Sequence, residues 1–193
     1  MPFKVVIAVA TEPVTLAEAR LHLKVYDDDA AEDALITAWI TAAREMAEQF
    51  TGRALATQTL ELALDEFPHA DDCSSVIELP MPPVASITSV KYTDLAGAEQ
   101  TLAGSAYALS LYGDSRRLAP TYGNYWPSTQ DVPDAVRVRY VAGYTTAPKA
   151  VKAAILLMVG WLEQNRGEGM STDDIQPQAA KALLGSVKIW SKS

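Results

Sequence analysis

Ile40-Thr41-Ala42-Ala43-Arg44-Glu45-Met46-Ala47-Glu48-Gln49-Phe50-Thr51-Gly52-Arg53 is followed closely by Thr59-Leu60-Glu61-Leu62-Ala63-Leu64-Asp65, and between the two the hydrophobic period changes. In the first stretch, extended back to Leu35, the apolar residues Leu35, Ile36, Trp39, Ile40, Ala43, Met46, Ala47 and Phe50 recur at three and four. That spacing predicts one face of an amphipathic helix. Thr37, Thr41, Arg44, Glu45, Glu48 and Gln49 fill the other face, and Gly52 suits the left-handed residue that ends a helix. In the second stretch Leu60, Leu62 and Leu64 alternate with polar or small residues, the mark of a half-buried strand.

Reading outward, the helical pattern returns at both ends. Thr15 and Glu18 make a capping-box pair before Leu16 to Leu23. Asp27-Asp28-Asp29 then separates this short helix from the next. Pro148 suits a first helical turn, because its missing N–H costs nothing there. The helix it starts is apolar almost all round, from Val151 through Trp161, which predicts burial on several sides. Asn165 to Gln176 reads as a linker rich in glycine and acids, and Ala180, Leu183, Leu184 and Val187 as the stripe of a short last helix before Trp190. The middle is strand-like: Val76 to Leu79, Ile87 to Thr93 with a hairpin turn at Asp94 to Gly97, Tyr107 to Leu111, and Val136 to Tyr140. The expected fold is α+β, a mainly helical core of two helix pairs with a β-rich insertion. The expected division is residues 1–12 as an N-terminal arm, 13–53 plus 146–190 as the helical core, and 54–145 as the inserted subdomain.

Composition narrows the function. The chain has 193 residues, a net charge of −8 and one cysteine, Cys73, so it forms no internal disulfide. An acidic chain is a poor general ligand for phosphates, although it can stand beside DNA and repel it. Glu12 and Pro13 interrupt the N-terminal apolar run, which reads as an arm or strand rather than a signal peptide. The apolar run from Ala153 to Leu162 is half what a bilayer needs. No nucleophile elbow, P-loop, dinucleotide fingerprint or zinc-protease motif occurs. His22 reads as a charge near a helix end. His69, Asp71, Asp72 and Cys73 are metal-ligand types in a polar loop, and they define the one enzymatic alternative, a hydrolase-like site. No catalytic residue, cofactor or metal is expected otherwise. Arg137 and Arg139 read either as contacts to an acidic partner or as a solvated strand face with cross-strand acids. Tyr122, Tyr125 and Trp126 share one irregular loop, which suits an interface or a binding module. Trp161 and Trp190 belong either to the helical core or to a subunit interface.

Pro13-Val14-Thr15-Leu16-Ala17-Glu18-Ala19, the helix ending Phe50-Thr51-Gly52-Arg53, Leu79-Pro80-Met81-Pro82-Pro83, Tyr125-Trp126-Pro127-Ser128 and Val141-Ala142-Gly143-Tyr144 stand in an order that resembles the head–tail connector (adaptor) proteins of tailed bacteriophages. The resemblance runs from about Pro13 to Trp190. It implies a structural protein of a phage or prophage particle that forms a homo-oligomeric ring, commonly about twelve-fold, under the portal protein. It further implies that the ring extends the DNA channel without sequence-specific binding and seats a tail-side stopper or completion protein. A virion location, with assembly in the host cytoplasm and no membrane, follows from the same resemblance. The leading interface residues on this reading are Tyr122, Tyr125, Trp126, Trp161, Trp190, Arg137 and Arg139.

Overall fold

The computed structural model describes residues 3–25, 32–68, 75–110, 116–166 and 177–189. It divides into two bodies. One comprises Met1–Ala10 with Thr57–Gly143, the other Thr11–Ala56 with Tyr144–Ser193.

The helical body holds α1 (Leu16–Leu23), α2 (Asp33–Thr51), α3 (Lys149–Gln164) and α4 (Gln178–Gly185). Thr15 and Glu18 close the capping box reciprocally: Thr15 N donates to Glu18 Oε2 at 2.8 Å, and Glu18 N donates to Thr15 Oγ1 at 3.2 Å. Gly52 ends α2 at φ 69°, and its N–H donates to Glu48 O. Ile36, Ile40, Ala43 and Ala47 of α2 meet Val151, Ala154, Ile155, Met158 and Val159 of α3, with Ala180 and Leu184 of α4 closing the core. The buried face of α2 is rotated from the one the apolar spacing predicts. Leu35 is 41% exposed, whereas Arg44 and Glu48, expected on the polar face, are each 6% exposed. On α3, Leu156, Leu157 and Trp161 are only half-buried, so the helix keeps one open side.

The second body is built of strands: β1 (Phe3–Ile7), β2 (Gln58–Leu64), β3 (Ile77–Glu78), β4 (Val84–Thr93), β5 (Glu99–Thr101), β6 (Tyr107–Leu109), β7 (Arg117–Pro120) and β8 (Val136–Ala142). They form a five-stranded sheet, β1-β2-β8-β4-β5, and a three-stranded one, β3-β7-β6, with every pair antiparallel. Residues 3–7, inside the segment expected as an arm, are the edge strand of the larger sheet. Asp94 holds the β4–β5 turn by accepting from the N–H groups of Ala96 and Ala98, and Gly97 takes φ 82° there.

The expected mainly helical core is overturned. The chain is α+β and richer in sheet than that expectation allows, with four helices and eight strands in two antiparallel sheets among the described residues. The strand body also has a core of its own: Leu60, Leu62, Val90, Val136, Val138 and Tyr140 are at most 1% exposed. The reason is additive. Each strand buries only every second side chain, so each looks minor along the sequence. The register then stacks Leu62 on Val138 on Val90, and Leu60 on Tyr140, into one apolar layer.

Candidate functional site

The alternation that builds the apolar layer leaves a second face on the same sheet, and that face is charged. Lys4 lies opposite Glu61, Glu61 opposite Arg139, and Arg139 opposite Ser89, a row across four strands. Two residues along, Arg137 lies opposite Lys91. Glu61 Oε1 meets Lys4 Nζ at 2.9 Å, and Glu61 Oε2 meets Arg139 at 2.7 Å. Glu99 bridges Lys91, at 2.7 Å, and Arg137. The Glu61 side chain is 8% exposed beneath a Lys4 that is 71% exposed. The Lys4 hydrogen bond, with help from Arg139 and against the cost of burial, holds the Glu61 carboxyl below the usual carboxylate range. Arg137 and Arg139 thus sit on an exposed strand face beside acids from neighbouring strands.

The aromatic loop has a different construction. Trp126 is its anchor: the indole stacks on Phe67 with ring centroids 4.8 Å apart and planes 6° from parallel, and Nε1 donates to Ser75 O at 2.7 Å. Phe67 in turn meets Tyr92 edge-on at 5.8 Å. The turn before it is set by Thr121, whose N–H donates to Ala106 O and whose hydroxyl donates to Ser105 O. Asn124 closes it, donating from both its N–H and its side chain to Thr121, while Gly123 takes φ 81°. This turn leaves Tyr122 wholly exposed and Tyr125 79% exposed. Between them opens a cavity of about 500 Å3 whose lining includes Phe67, Thr121, Tyr122, Tyr125, Trp126 and Ser128. The three aromatics that the sequence groups together therefore divide: Trp126 belongs to the scaffold, and the two tyrosines are presented to solvent.

The remaining candidates are placed as follows. Trp161 is half-buried on α3, and Asn165 Nδ2 donates to its carbonyl at 2.7 Å. Trp190, the His69–Cys73 segment and most of the Asn165–Gln176 linker lie outside the described residues. His22 is exposed in the last turn of α1. Among the described residues, no three or more His, Cys, Asp or Glu side chains gather as a metal site would need. No helix among them is long and apolar enough to cross a membrane.

Sequence reasoning missed one functional-looking cluster. Arg44 Nε meets Glu12 Oε2 at 2.8 Å, and Arg44 Nη1 meets Glu48 Oε2 at 2.7 Å. Glu48 Oε1 accepts the Leu55 N–H at 2.8 Å. The i, i+4 spacing of Arg44 and Glu48 was the available signal, but it reads equally well as an exposed pair.

Residues 13–93 match the family model described as phage gp6-like head-tail connector protein. The whole chain matches a chain from the neck of an empty gene transfer agent particle, computed with C6 symmetry. The TM-score is 0.79 at 25% identity, covering 100% of this chain and 98% of the other. A chain from the virion of the native gene transfer agent particle matches over the same shares, with a TM-score of 0.78 at 25% identity. One from the native neck computed with C12 symmetry has the same fold, with a TM-score of 0.71 at 24% identity. No curated protein matches the chain. The class defined here is the structural component of a phage-like particle. Within it, the chain is similar to the phage head–tail connectors over residues 13–93, and its role is that of a structural connector.

Proposed function

We propose that this connector works as a closed ring of identical subunits in the particle neck, docked beneath the portal and continuing the DNA channel towards the tail. The carrying observation is the end-to-end match, helical and strand bodies together, to chains in necks computed with C6 and C12 symmetry. A ring of one chain needs two different patches that fit each other on neighbouring copies. The subunit offers several unlike surfaces for this: the presented tyrosines, the charged sheet face and the open side of α3. The net charge of −8 suits a channel element that must not hold DNA by its phosphates. The tail-side neighbour in this scheme is a stopper or completion protein, and the function requires no catalytic step.

Negative-stain imaging with mass analysis of the purified chain, with and without portal, tests the proposal. Rings with a central hole, at least in the presence of portal, are the expected result. Monomers in both samples across a range of salt concentrations overturn it.

A further inference from the structure

The two faces of the larger sheet differ in more than hydropathy. The charged face carries four cations, Lys4, Lys91, Arg137 and Arg139, against two carboxylates, Glu61 and Glu99. Its net charge is therefore +2 on a chain of −8, which leaves −10 on everything else. The outermost layer is more cationic still, because Glu61 is buried under Lys4 and Arg139 while each of the four cations stays at least 42% exposed. Cross-strand pairing holds these cations on one rigid surface, so little side-chain freedom is left to lose when a partner arrives.

The same body carries the opposite patch. β2 ends opposite the start of β8, with Leu64 facing Val136. Asp65 and Glu66 leave β2 there, and Asp131 and Asp134 approach β8 there, all four exposed. The Asp134 N–H donates to Asp65 Oδ1 at 3.0 Å, which pins the two segments together. The acids lie at the ends of the strands and the cations along them, Asp65 standing two residues beyond Ala63, the partner of Arg137, so the corner borders the basic face.

We propose that the basic face of this sheet docks the acidic corner, Asp65, Glu66, Asp131 and Asp134, of a second copy. The contact is heterologous, each copy giving its face to one neighbour and its corner to the other, which is the form a cyclic ring requires. The inference rests on the ring reading above and specifies one of its interfaces. Duplex DNA is the other polyanion such a face could meet. A net +2 surface releases few counterions, where stable DNA binding uses about six to ten phosphate contacts, and the acidic remainder of the chain repels the duplex. The charge balance therefore favours a protein partner.

Two full-length variants test this by sedimentation velocity. Lys91→Glu/Arg137→Glu takes the face from a net +2 to −2, and Asp65→Lys/Asp131→Lys/Asp134→Lys takes the corner from −4 to +2. Wild type should self-associate at low salt and lose at least tenfold in apparent affinity at 0.3 M salt. Each variant alone should stay monomeric. Their mixture should associate, because each then carries what the other's altered patch needs. Glu99→Gln raises the face to a net +3 and should tighten wild-type association, a gain that misfolding cannot imitate. Association unchanged by salt, both variants self-associating as wild type does, no wild-type association at low salt, or duplex DNA bound in place of a second copy each overturns the inference. Rings formed with portal by the charge-reversed variants would refute this interface and leave the ring reading standing; no rings from wild type with portal would refute the ring itself.

Discussion

Replacing Arg44 by methionine isolates the most consequential buried charge in the helical body. The Arg44 side chain is 7% exposed and joins Glu12, Glu45 and Glu48. Glu45 is 61% exposed and Glu12 23%, so their loss contributes about 1 kcal/mol or less each. Glu48 dominates, at 8% exposed. Without Arg44 it keeps the Leu55 N–H but loses its 2.7 Å ion pair. Leaving one member of a buried pair uncompensated costs about 3–5 kcal/mol. At this chain length that lowers the thermal midpoint by roughly 10 °C. Burial already pushes the Glu48 carboxyl up, with the Leu55 N–H and Arg44 opposing it. Removing Arg44 lets it rise further. The folded state then binds a proton more tightly than the unfolded one, so the variant loses stability as pH rises through the interval between the two pKa values. Urea denaturation at pH 5 and pH 8 should therefore show a larger deficit at pH 8. Arg44→Met/Glu48→Gln keeps an acceptor for Leu55 and removes both charges, and it should recover most of the loss. A deficit below about 1 kcal/mol in the single variant, or no recovery in the double, refutes the reasoning.

Trp126→Ala removes the Phe67 stack and the bond to Ser75 O, and should cost about 2 kcal/mol by denaturant titration, roughly half the penalty of a fully buried aromatic. Tyr122→Ser/Tyr125→Ser should change stability by about 0.5 kcal/mol or less, since both rings stand in solvent, and any effect should appear in neck assembly instead. Tyr140→Phe leaves Pro80 O without its 2.9 Å donor and should cost about 1–2 kcal/mol in the same titration. Glu61 has its folded pKa held down by Lys4 and Arg139, so the stability it adds is present above its unfolded pKa of about 4.3 and is lost as pH falls through the folded value. Urea midpoints of Glu61→Gln between pH 7 and pH 3 should accordingly fall less steeply than those of wild type.

The first three helices were legible because each carries a local signal: the Thr15–Glu18 box, Gly52 after α2 and Pro148 before α3. The strands from β2 to β8 were legible singly, through alternation and the Asp94–Gly97 turn. Their weight in the fold was not, because pairing partners such as Leu62 and Val138 lie 76 positions apart and the layer exists only once register is set. Register also explains the arginines. Arg137 and Arg139 share a face by their spacing of two, but nothing local says that Glu99 and Glu61 lie beside them. The burial of Arg44 and Glu48 was hidden for a related reason. The i, i+4 pair looks the same on an exposed helix face, and the decisive facts, Glu12 and Leu55, come from the chain segments on either side of α2.

The distribution of charge bears on how such a subunit stays apart until it is wanted. Copies of net charge −8 repel when distant. At physiological salt that repulsion fades over about 8 Å, so at contact only local patches count. A rigid +2 sheet face and a four-carboxylate corner then attract across a gap in which the rest of the two surfaces still repel. The balance makes one isolated contact weak. It also makes closure cooperative, because each added copy satisfies one face and one corner, and the last satisfies two of each contact at once. A docking platform that holds copies side by side raises their effective concentration and tips that balance without any change in the subunit. Weak, strongly salt-dependent pairing in free solution and firm ring formation on a platform are thus the same electrostatics at two effective concentrations.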